Sequence, residues 1–186
     1  MQSEVERRVV EPILLGFVGA ADSSPLALRA RLRHLDGLGL IPFPKVGSGR
    51  RRGYSAEHVY WMALALTLEQ QGQPPKKVTS IVHFVQREIH LQTLQSSDVF
   101  LLIFADECRF ARLEQVQEAT RDAAAFSVVN LSKIFQSVTK ACSEKFPAAK
   151  APAVEAADSK EALEEARRRF DRMIDSIQRA KYGDGF

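Results

Sequence analysis

The segment Ile41-Pro42-Phe43-Pro44-Lys45-Val46-Gly47-Ser48-Gly49-Arg50-Arg51-Arg52-Gly53-Tyr54 constrains the fold more than any other part of the chain. Its prolines and glycines exclude a helix, yet helical periodicity runs on both sides of it. The N-terminal half must therefore break into helices around a non-helical excursion. Gly47-Ser48-Gly49 predicts the tip of a short hairpin, with Arg50, Arg51 and Arg52 directly beside it.

Upstream, residues 11–21 read as a short apolar helix with Pro12 in its first turn, where a missing N–H costs little. Asp22-Ser23-Ser24-Pro25 then predicts a turn and a new helix, with Ser24 as N-cap and Pro25 as its first residue. Leu28, Leu32 and Leu35 recur at helical spacing, and Arg29, Arg31 and Arg33 are expected to project away from that stripe. Gly37 and Gly39 end the helix. Downstream, Ser55 caps a third helix carrying Val59, Met62, Ala63, Leu66 and Leu68. Pro74-Pro75 opens a fourth, with Val78, Ile81, Val82 and Val85 on one face.

Charge follows the same division. Asp22 to Lys77 holds nine Lys or Arg against four acids, a net +5, whereas the whole chain carries only +3. A basic half joined to a near-neutral remainder points to a domain that binds a polyanion.

Beyond about residue 88 the pattern changes. Val99 to Phe104 is a continuous apolar run of strand length, and Asp106-Glu107 a turn. Arg109 to Val116 alternates loosely, so a hairpin is expected, with Ala123 to Leu131 as a third strand. Ser132 to Phe146 reads as an amphipathic helix carrying Ile134, Phe135, Val138 and Cys142. Residues 88–146 thus have the size of an effector- or partner-binding module. Residues 147–157 form an Ala/Pro-rich linker. Residues 158–182 predict a helix whose Leu163, Ala166, Phe170, Met173, Ile177 and Ala180 fill heptad a and d positions. It either forms a coiled-coil dimer or packs on its own chain.

The fold class expected is mainly α: an N-terminal winged helix-turn-helix over 11–87, a small α+β middle region and a C-terminal helix. Two runs carry a resemblance: Leu32-Arg33-His34-Leu35-Asp36-Gly37-Leu38-Gly39-Leu40-Ile41-Pro42, and Gly49-Arg50-Arg51-Arg52-Gly53-Tyr54-Ser55-Ala56-Glu57-His58-Val59. With Leu68, Gly72, Pro75, Val78 and Ile81-Val82 behind them, the chain resembles the MerR family of transcription regulators over roughly residues 11–86. His34-Leu35 stands where that family usually has aromatics, and Asp36 where it has Glu. The resemblance implies a DNA-binding regulator, dimeric through a helix beyond the reading domain. It also implies distortion of promoter DNA so that spaced elements align for RNA polymerase.

The residues support that expectation in their own right. A helix bearing arginines fits the major groove, where Arg bonds guanine bidentately. Arginines beside glycines let a thin hairpin approach the DNA backbone or minor groove. The expected contact set is Arg29, Arg31, Arg33 and His34 from the helix, Arg50, Arg51, Arg52 and Tyr54 from the wing, and Lys76 and Lys77 on phosphates. Two rivals use the same elements: an architectural, excisionase-like DNA binder, and a protein-interaction adaptor that has lost its DNA contacts.

Little points to chemistry. No Ser/His/Asp or Cys/His arrangement, phosphate loop or carboxylate pair at catalytic spacing occurs, so no enzyme, cofactor or metal is expected. Cys108 and Cys142 lie far apart in sequence and outside any CxxC pair, which favours packing over metal sensing. His83 and His90 read as structural or surface residues, and Tyr60 and Trp61 as core. No apolar run spans a membrane, and an N-terminus that carries acids and lacks an apolar core followed by small residues predicts no secretory signal. A cytoplasmic protein is expected.

Overall fold

Capping decides where the helices begin. In the computed structural model, which describes residues 5–18, 24–41, 53–105, 107–122 and 126–145, the Ser24 Oγ accepts from the Ala27 N–H at 3.1 Å. That bond and Pro25 start helix α2, Pro25–Gly37, at the expected residue. Leu28, Leu32 and Leu35 are buried along one side. The helix closes at Gly39, whose φ of 78° is a left-handed conformation that a side chain would strain. The Leu40 N–H reaches back to the Leu35 carbonyl at 3.1 Å across that turn.

Helix α3, Ala56–Gln70, starts with a reciprocal cap. The His58 N–H donates to Ser55 Oγ at 3.2 Å, and the Ser55 N–H donates to His58 Nδ1 at 3.1 Å. Its run from Val59 to Leu66 is buried on every side, with Leu68 beyond it, so α3 is the central core helix and not an amphipathic surface one. Gly72, with φ 81°, closes it. Helix α4, Pro75–Glu88, packs against it through Val78, Ile81, Val82 and Val85. His83 Nε2 lies 2.9 Å from the Gly39 carbonyl, joining α4 to the end of α2.

Two elements at the N-terminus differ from expectation. Helix α1 spans Arg7–Leu14, continues as a 3-10 turn over Leu15–Phe17, and so holds Pro12 in its interior instead of its first turn. Ahead of it, strand β1, Val5–Glu6, pairs antiparallel with strand β2, Gly53–Tyr54, in the register Val5↔Tyr54 and Glu6↔Gly53. The arm that leaves the Arg-rich segment is thus tied to the start of the chain. The expected hairpin tip at Gly47-Ser48-Gly49 lies outside the described residues.

The chain divides into two compact units: residues 5–88 with 134–145, and residues 89–133. The second holds a short helix α5, Thr93–Ser96, and a three-stranded antiparallel sheet ordered β4-β3-β5. Strand β3, Phe100–Ile103, is central between β4, Cys108–Ala111, and β5, Ser127–Asn130. Both registers begin at Phe100, which faces Ala111 on one side and Asn130 on the other. Helix α6, Leu113–Asp122, takes residues expected to extend the second strand. The Arg109 guanidinium lies 4.4 Å above the Phe104 ring, which stacks on Phe126 at 5.8 Å.

Helix α7, Leu131–Lys145, forms where the amphipathic pattern places it. Its residues from Ile134 onward group with the first unit and not with a 88–146 module. The cause is packing: Phe135 meets Tyr60 edge-on, with ring centroids 5.7 Å apart. The linker 147–157 and the heptad segment 158–182 lie outside the described residues. Among the described residues the protein is mainly helical, with one small antiparallel sheet besides the β1–β2 pair.

Candidate nucleic-acid interface

Helical geometry sorts the three arginines of α2. Successive residues turn by about 100°, so residues two apart diverge and residues four apart realign. Arg29 and Arg33 therefore share one side, while Arg31 points elsewhere. They do not form the single outward row expected of them.

Arg29 is committed to the fold. Its Nε and Nη2 donate to Glu11 Oε1 and Oε2 at 2.8 and 2.7 Å, a bidentate fork joining α2 to α1. Glu11 is only 6% exposed. A buried carboxylate needs a partner held in place, and the hydrogen bonds and charge of Glu11 raise the Arg29 pKa further above its usual value. Arg29 thus clamps α2 to α1 while about half of its side chain stays exposed.

Arg31 is half-buried. Its charge, with that of His34, bears on Glu69 of α3 and opposes the effect of burial there. Burial is the larger influence and raises the Glu69 carboxyl above its ordinary range. The Glu69 Oε2 is buried without a hydrogen-bond partner. Arg33 and His34 are exposed, and Arg33 Nε donates to the Arg29 carbonyl at 3.3 Å, one turn back. The exposed outer side of α2 runs through Leu26, Arg29, Ala30, Arg33 and Gly37, with His34 at its border.

Tyr54, paired with Val5 across β2 and β1, is only 4% exposed, so its side chain lies in the core. Arg50, Arg51 and Arg52 lie outside the described residues. Lys76 is exposed in the first turn of α4, and Lys77 is half-buried. Arg33 and His34 lie exposed on one side of α2 with the ion-paired, half-exposed Arg29 one turn back, whereas Arg31 is half-buried and Tyr54 buried.

Two residues of this region escaped the sequence reading. Glu11 was legible as an acid interrupting the apolar run from Val9 to Leu15. Leu26 stands off the Leu28–Leu32–Leu35 stripe and is 73% exposed, which its spacing alone foretold.

Cys142 is buried and Cys108 half-buried, and the two are not joined to each other; burial raises the Cys142 pKa. Among the described residues no cluster of three His, Cys, Asp or Glu could hold a metal ion. No described helix is long and apolar enough to cross a membrane. No protein-family model and no curated protein matches this sequence, so the case for its function rests on the geometry of α2 and its neighbours.

Proposed function

We propose that this chain is a DNA-binding transcription regulator with a MerR-like winged helix-turn-helix over 11–87. It reads a two-part duplex site as a homodimer and acts on promoter DNA in concert with RNA polymerase. One observation carries the reading: α2 is buried along its leucine side, clamped to α1 by Glu11, and open on the side bearing Arg33 and His34. A recognition helix needs that division, because side chains reach base edges only from a helix held rigidly from behind. The β1–β2 pair supports a wing anchored at its base, with Arg50, Arg51 and Arg52 beyond it in sequence and Lys76 as a phosphate contact.

The adaptor reading draws on a different observation: the first arginine of α2 is spent on Glu11, and an apolar residue, Leu26, stands in water nearby. One experiment separates the readings. The protein is titrated with a pool of random duplexes at two salt concentrations and the bound fraction sequenced. An enriched two-part motif supports the regulator. Unselective binding marks an architectural protein, and no binding at modest salt marks an adaptor.

A further inference from the structure

Leu26 and Leu113 are the two large hydrophobic side chains that stand exposed among the described residues. Leu26 is the second residue of α2, and at 73% exposure it contributes nothing to the core beneath. One turn later on the same line comes Ala30, small and exposed, and then Arg33. The stripe therefore runs from an apolar tip, past Ala30 with the Glu11-paired Arg29 beside it, to Arg33. Seven residues at about 1.5 Å each separate Leu26 from Arg33 by about 10 Å along the axis, so the two address different base pairs.

In the major groove only thymine offers an apolar feature, its C5-methyl group. The N-terminal residues of a recognition helix are those that reach base edges. We infer that Leu26 reads a thymine methyl in each half-site and sets the base preference there, while Arg33 supplies the cationic contact further along. The inference rests on the DNA-binding reading above. A leucine has no hydrogen-bonding group, so it gains nothing from cytosine, guanine or adenine edges in its place.

Replacing thymine by uracil removes that methyl and nothing else. A duplex carrying the enriched motif is prepared with uracil at each thymine in turn, and binding of the full chain is measured beside that of Leu26→Ala and Leu26→Gln. The thermal unfolding midpoint of both variants should match the parent, since the side chain is exposed. The expected result is about a fourfold loss for the parent at one position per half-site, as for withdrawing one buried methyl. Both variants should bind the thymine and uracil duplexes equally at that position. If the variants lose the same factor as the parent, another residue reads the methyl and the inference fails. It fails equally if no position is sensitive to uracil while the motif still binds. A protein that holds no duplex at low salt overturns the DNA-binding reading itself, and the Leu26 assignment with it.

Discussion

Arg29 and Glu11 show how a surface arginine can be tied to a carboxylate that is itself buried. The pair can be tested by a double-mutant cycle on thermal unfolding. Arg29→Ala takes a bidentate partner from a buried carboxylate and should lower the midpoint more than Glu11→Gln does. The double variant should recover part of the loss, because the buried charge is then gone as well. Equal and additive effects would refute the clamp. Glu69 gives a pH signature on the opposite side of α2. Burial raises its carboxyl pKa in the folded state despite Arg31 and His34, so the native protein favours the protonated form. The stability this contributes is complete below the ordinary glutamate range, near pH 4.3, and is lost as pH rises through the raised folded value. Glu69→Gln should therefore flatten the stability profile above that range and leave the protein more stable than the parent at neutral pH. Because the group is partly solvated, the gain should stay below about 1 kcal/mol. A variant less stable at pH 7 would show that the attraction to Arg31 and His34 outweighs burial.

At the scale of elements, what could be read from sequence tracks how local the determining forces are. Helices α2, α3 and α4 and the central strand β3 carry their own caps and periodicities, and each formed where the pattern put it. Strand β1 is two residues long, and its pairing joins Val5 to Tyr54 across three helical elements' worth of chain, so no local pattern could announce it. Helix α6 was hidden for another reason. None of its described side chains is fully buried, so it lacks a dense apolar stripe, and its start is set by the Arg112 N–H donating to Gln115 Oε1 at 2.8 Å. In the second unit a buried hydroxyl takes the part that caps take elsewhere. Ser132 Oγ accepts from the Val99 N–H at 3.0 Å and donates to the Ser97 carbonyl, with no exposure to water. Ser132→Ala leaves both backbone groups unpaired and should cost about 1–3 kcal/mol in denaturant unfolding. Ser55→Ala, which removes one side of the α3 cap, should cost about 1 kcal/mol. The ordering tests the assignment: an exposed serine such as Ser80 should cost far less than either.

For the whole molecule, the basic bias of the N-terminal half was plain in the composition, but its division of labour was not. Counting arginines cannot tell one facing solvent from one forked onto a carboxylate, since the partner, Glu11, lies on another helix. Nor could the leucine spacing of α2 show that Arg31 would act on Glu69 of α3. The same division decides how the intact protein should respond to salt. Each phosphate contact releases counterions, so log K falls with log salt at a slope of about 0.9 per contact on duplex DNA. Arg33→Ala should reduce the slope by up to about that amount, and Lys76→Ala likewise. The Arg29→Ala, Glu11→Gln double variant should leave the slope unchanged if Arg29 stays on Glu11 when DNA binds. The triple replacement of Arg50, Arg51 and Arg52 by Ala should produce the largest reduction if the wing grips phosphates beside α2. A parental slope in the triple variant would remove the wing from the interface. A reduced slope in the Arg29, Glu11 double variant would mean that the clamp opens on DNA and releases Arg29 to it.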